Sequence, residues 1–193
     1  MSLKIRLSLL LLVPALLTVG CSASNEATVS YDSAEDRMTI ETRSYKVSTI
    51  SGSSYGSQST IDVRAVAQCQ GQGCSPRRAK LIFIAPTDRD LSFSGIGGEI
   101  VADGSQVTRW TTREAGRSDI DAGSLAGGET CITAYGEFAA IILQTDQLKQ
   151  IAQASNVEGT IGGRPLRFGG GVKEGLKNLA QKMQSGSAEQ PAM

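Results

Sequence analysis

Apolar residues recur at every second position through the middle of the chain. Ile61, Val63, Ala65, Ala67 and Cys69 alternate with mostly polar neighbours, the period of a half-buried strand. Residues 38–50 (MTIETRSYKVSTI) are rich in Thr, Ile, Val and Tyr, which suit a pleated surface, and a Gly/Ser loop at 51–59 follows them. Residues 79–85 (AKLIFIA) form a short, nearly continuous apolar run, the pattern of a central strand, and Pro86 ends it. Asp103-Gly104 suits a type I′ turn, in which both central residues take positive φ. A two-residue loop there pairs Ala102 with Ser105 and Ile100 with Val107. Residues 130–143 are the longest apolar stretch of the region and predict a strand bent or bulged at Gly136.

After residue 144 the period lengthens. Thr145 has the character of a helix N-cap, and Leu148, Ile151 and Ala152 follow at helical spacing, predicting a short helix near 146–154. Residues 157–168 predict a hairpin turning at Gly162-Gly163, with Gly159 opposite Leu166 and Val157 opposite Phe168. Pro165 has no amide hydrogen to donate, so its strand belongs at an edge. Gly169-Gly170-Gly171 predicts a flexible break. Val172, Leu176, Leu179, Ala180 and Met183 then form one stripe of a C-terminal helix near 172–184. Strands dominate. The expected fold is mainly β, an antiparallel β-sandwich or flattened barrel whose last helix covers an edge or open end. Residues 28–184 are expected to form a single domain, and 185–193 (SGSAEQPAM) a disordered tail.

The first 20 residues follow another pattern. Lys4 and Arg6 precede an uncharged run at 7–17 (LSLLLLVPALL). That run falls short of the ~20 apolar residues of a spanning helix and matches the layout of a secretory signal peptide. Leu17-Thr18-Val19-Gly20-Cys21 comes next and resembles the lipobox of bacterial lipoproteins, with Thr18 where that family prefers Leu. The resemblance implies a diacylglycerol thioether on Cys21, cleavage before it, and acylation of the new amino group, commonly by palmitate. Two or three acyl chains hold a protein at a membrane in effect permanently, where one holds only marginally. Ser22, a residue other than Asp, implies the outer membrane of a Gram-negative envelope, facing the periplasm or the cell exterior. Residues 22–27 (SASNEA) are small and polar; with Cys21 they form a tether of at most ~20 Å. The competing reading is a secreted protein with Cys21 in a disulfide.

Composition narrows the chemistry. The 193 residues contain no His, which excludes Ser-His-Asp and Cys-His nucleophile pairs and imidazole metal ligands. Lys plus Arg and Asp plus Glu both number 19; without Lys4 and Arg6 the exported part keeps 17 basic against 19 acidic residues, a net charge of −2. No basic run suggests nucleic acid or lipid headgroups as partners. With Cys21 acylated, Cys69, Cys74 and Cys131 remain. The loop Gln70-Gly71-Gln72-Gly73 between the first two brings them within disulfide range, and Cys131 bonded to one of them is the alternative.

The remaining motifs are incomplete. Gly95-Ile96-Gly97-Gly98-Glu99-Ile100 lacks the third Gly of a dinucleotide fingerprint, and Gly169–Gly171 lacks the Gly-Lys-Ser/Thr ending of a phosphate loop. Asp119-Ile120-Asp121-Ala122-Gly123 with Glu129 misses the register of a calcium loop by one residue. Glu99, Asp103, Glu129 and Glu137 are acids with no spacing that selects a glycosidase pair. Trp110, the one Trp, is expected as a core or sheet-face anchor. No S-x-x-K motif supports a Ser–Lys dyad. Leu148, Ile151, Ala152 and Ala154, then Val157-Glu158-Gly159-Thr160-Ile161-Gly162 and Leu166-Arg167-Phe168, resemble a segment of uncharacterised bacterial exported proteins; this implies the helix, hairpin and final helix and no activity. No catalytic residue, metal ligand or cofactor follows. The expected function is a membrane-anchored, non-enzymatic structural or binding module of the cell envelope, whose partners are the membrane and an envelope protein. The alternatives are a carrier of a lipid or small apolar ligand in a β-cavity, and a carboxylate-dependent hydrolase.

Overall fold

A computed structural model describes residues 26–50, 59–86, 93, 95–112, 114–121 and 133–186. Eleven strands and two helices are seen among them. The large sheet runs in the order β1 (Thr28–Asp32), β2 (Arg37–Glu41), β4 (Ser59–Gln70), β5 (Arg78–Pro86), β9 (Thr133–Gln144), β8 (Glu114–Asp121), and β3 (Tyr45–Ile50) also pairs with β4. The small sheet runs β11 (Arg164–Arg167), β10 (Val157–Ile161), β6 (Gly97–Ala102), β7 (Ser105–Thr111). All pairings are antiparallel. The fold is mainly β and sandwich-like; the sheets do not close into a barrel.

Alternation places the core. On β4, β5 and β9 the odd-numbered residues point inward, and register sets Ala65 beside Leu81 and Leu81 beside Ile141, with Val63, Phe83 and Ala139 in the next row. Small residues facing large ones let the opposite layer interdigitate. That layer is the small sheet together with α1 (Thr145–Gln153) and α2 (Gly170–Ser185), which pack on each other and on the large sheet. Leu148 and Ile151 of α1, and Val172, Leu176, Leu179 and Met183 of α2, are buried in the same cluster as both sheets. Gly175 lets α2 approach β3, since a Cβ there would stand 2.7 Å from Cζ of Tyr45.

The β-favouring stretch at 38–50 forms two strands, β2 and β3, both lying along β4. Thr42 bridges the gap. Its amide donates to Ala65 O at 2.9 Å, and its Oγ1 accepts from the Ala65 amide at 3.0 Å, replacing a missing backbone carbonyl. Two edge strands, β1 and β8, were not anticipated, and Ala27, assigned to the tether, is buried at 1% exposure.

The hairpin at Asp103-Gly104 has the expected turn, with φ of 48° and 79°, and pairs Ala102 with Ser105. Beyond that the expected register fails. A bulge at Val107 sets Ile100 opposite Thr108 and Gly98 opposite Trp110. An even register would have turned Arg109 inward and Trp110 out, because a slip of one residue exchanges the faces. The bulged carbonyl of Val107 accepts from Gln147 Nε2 of α1 at 3.0 Å, while Gln147 Oε1 accepts from the Gln144 amide at 2.9 Å. The N-cap of α1 is therefore Gln144, not Thr145, whose hydroxyl donates to Arg77 O at 3.0 Å.

The hairpin at 157–168 has the expected register, with Gly159 opposite Leu166, and β11 is an edge strand. β9 carries no bulge at Gly136, for its pairing with β5 and with β8 runs without a shift. The break expected at Gly169–Gly171 is instead the start of α2, with Gly169 as N-cap. The helix continues through Ser185 to a left-handed Gly186, so Ser185 and Gly186 do not belong to a tail; residues 187–193 lie outside the described residues.

Gly98 carries Trp110 across its face. A Cβ on Gly98 would overlap the indole and stand 2.6 Å from the Thr160 carbonyl. Gly98→Ala is expected to lower unfolding free energy in a urea titration by about 1–3 kcal/mol. Gly169→Ser, at an open helix cap, should change it by less than ~0.5 kcal/mol. Equal stabilities for Gly98→Ala and the parent would contradict the packing described.

Candidate functional site

Cys69 and Cys74 are bonded, with Cα atoms 6.0 Å apart. The loop between them turns on Gly71 and Gly73, at φ of 90° and 74°. Its far side meets the end of α2, where a Cβ on Gly186 would stand 2.7 Å from Gly73 O. The bond thus closes the loop on which the last helix ends. Cys21, Glu129, Cys131 and Gly123 lie outside the described residues. Asp119 and Asp121, the start of the incomplete calcium-loop pattern, belong to edge strand β8.

The other acids are not gathered in one place. Glu99 lies on the outer face of the small sheet and accepts from Arg109 Nη2 at 2.8 Å. Asp103 accepts from the amides of Asn156 at 2.8 Å and Ser155 at 3.0 Å. Those two amides hold its carboxyl below the usual carboxylate range, and they fasten the hairpin tip to the segment after α1. Lys173 of α2 donates to the carbonyls of Ala154 and Ser155 at 3.1 and 3.0 Å, closing the same junction. Glu137 is 4% exposed on the inner face of β9. These three carboxylates occupy an outer face, a turn and an interior, so no pair forms across a cleft.

Trp110 is the anchor the sequence suggests. Its ring stacks on Phe83 of the large sheet, with centroids 6.0 Å apart and planes 10° from parallel. Gly97 and Gly98 open strand β6 and bring the backbone close to Trp110 and Thr160. Among the described residues no group of three or more His, Cys, Asp or Glu could hold a metal ion. No helix among them is long and apolar enough to cross a membrane.

Three hollows are lined by described residues, and each opens outward. One of ≈ 430 Å³ lies over Glu99, Arg109 and Thr160 on the small sheet. One of ≈ 330 Å³ lies between α1 and α2, beside Lys149 and Lys177. The third, ≈ 470 Å³, spreads across the outer face of the large sheet over Arg64, Val66, Arg78, Lys80, Ile82 and Ile142. Sequence reasoning passed over this face, although the even positions of β4 (Asp62, Arg64, Val66, Gln68) were the signal for it.

Asp62, on the same side of β4, is 9% exposed, and its Oδ1 has no hydrogen-bond partner. Burial pushes its carboxyl up, against the smaller opposing effects of a hydrogen bond from Thr60 and the charge of Lys46. The chain matches no protein family, no curated protein and no solved structure.

The two perturbed aspartates should titrate with opposite sign. Asp103, held low, stabilises the fold above the unfolded value of ~3.9, and this is lost as pH falls through its folded value. Asp62, held high, weakens the fold once ionised, and that penalty is relieved as pH falls through its folded value. In urea titrations, Asp103→Asn should be less stable than the parent at pH 7 and Asp62→Asn more stable, with both differences shrinking near pH ~3–4. A destabilised Asp62→Asn at pH 7 would contradict this.

Proposed function

We propose that the chain is an exported lipoprotein, anchored through lipid on Cys21, whose β-rich domain is a non-enzymatic structural or binding module of the cell envelope. The observation that carries the reading is Leu17-Thr18-Val19-Gly20-Cys21 behind an 11-residue uncharged run. Ser22 in that pattern favours the outer membrane, with the domain facing the periplasm or the cell exterior. The tether from Cys21 to Glu26 is short, so the domain works close to the bilayer.

The use made of the acids supports a binding role over hydrolysis. Glu99 pairs with Arg109, Asp103 clasps two backbone amides, and Glu137 sits inside. A carrier would call for an apolar chamber between the layers, whereas the hollows over Glu99, over Arg64 and beside Lys149 open on outer faces. Surface recognition of an envelope partner suits that distribution better.

Replacing the thiol tests the anchor. Cys21→Ser, expressed in a Gram-negative host, should move from the membrane pellet to the soluble periplasmic fraction while the parent stays in the pellet. Equal retention of both would overturn the reading.

A further inference from the structure

Building on the lipid anchor proposed above, we infer that the outer face of the large sheet lies against the anionic headgroups of the bilayer that holds Cys21. Three cations share this face: Arg64 from β4, and Arg78 and Lys80 from β5. In sequence they are spread over residues 64–80 with no basic run. Antiparallel pairing brings them together, setting Arg64 beside Ile82 and Val66 beside Lys80. Glu41 is the one acid lining the same hollow.

Between and beside the cations lie Val66, Ile82 and Ile142. Ile142, next to Lys80 across β5 and β9, is 58% exposed. Cationic and apolar side chains interleaved on one face, with Lys80 between Val66 and Ile142, match a headgroup layer, where cations meet phosphate and one or two side chains reach the acyl boundary. A broad sheet face also suits a planar partner better than a small solute.

The tether points the same way. Register places Thr28, Glu41, Val66, Lys80 and Ile142 in a single row across five strands. At ~4.8 Å per strand, Thr28 stands about 19 Å from Ile142. Residues 21–26 reach at most ~20 Å, so lipid on Cys21 can enter the membrane beside that row. The layer of small sheet and helices, which carries Lys149 and Lys177, lies behind the large sheet.

Lysine acylation of the lipidated full chain, followed by mass spectrometry, tests the orientation. The protein is reconstituted in vesicles of phosphatidylethanolamine with phosphatidylglycerol, and separately in phosphatidylcholine. Lys80 labelling is read against Lys149 and Lys177 of the same molecules. In anionic vesicles the ratio should fall about five-fold or more relative to phosphatidylcholine, and it should recover in ~1 M salt, where the Debye length is ~3 Å. The double variant Arg64→Gln, Arg78→Gln should lose the protection while still floating with the vesicles.

Lys80 labelled as readily as Lys149 and Lys177 in both vesicle types would overturn the orientation and leave the anchor standing. Protection alike in both would also overturn it, pointing to a second copy or another protein on this face. A parent chain that does not float with vesicles would overturn the anchor, and the orientation with it.

Discussion

The stack of Trp110 on Phe83 joins the two sheets, and several local features exist to permit it. Phe83 sits on an interior strand of the large sheet, between Val63 and Ala139. Trp110 reaches it because the bulge at Val107 exchanges the faces of β7 and because Gly98 leaves room for the indole. The bulge would strand a carbonyl, and Gln147 of α1 supplies the donor. One aromatic contact therefore couples strand register, a glycine and the start of a helix. Buried aromatic pairs add roughly 0.5–1.5 kcal/mol beyond their burial, but here the larger effect is to select one register over another.

The same register decides what faces water. With Trp110 turned inward, Arg109 turns outward to meet Glu99, and Asp103 at the hairpin tip reaches the amides of Ser155 and Asn156. On the other layer, the loop closed by Cys69 and Cys74 receives the end of α2 at Gly186. Both ends of the helix layer are thus tied to strand-connecting loops. The outer face of the large sheet carries Arg64, Arg78, Lys80 and the exposed Ile142.

Local signals were legible in the sequence. The hairpin at 157–168 could be registered because its turn residues and its apolar pair, Val157 and Phe168, agree; the Phe168 amide donates to Val157 O at 3.3 Å. The stripe of α2 and the alternation of β4 were equally plain. β8 was not, since Glu114 to Asp121 has no apolar alternation and pairs as an edge strand along β9. β1 hides for a similar reason, with Val29 its one residue packed on the core. The bulge at Val107 depends on Phe83, 24 residues earlier in the chain, and no nearby residue announces it. The even positions of β4 marked an outward face, but its cationic character was hidden, because Arg64 and Lys80 are brought together only when β4 and β5 pair. The candidate anchor was legible by motif alone, in a part of the chain beyond the described residues.

The proposed function rests on where the chain is held: a thiol at the head of a short tether, and a sheet whose outer face is proposed to meet the membrane. Intact-mass measurement of the chain recovered from membranes tests the central claim most directly. A lipid-anchored protein gives a polypeptide beginning at Cys21 and carrying the added mass of a diacylglyceryl group, with or without a further acyl chain. A free sulfhydryl at that residue, or a leader still attached, would contradict it.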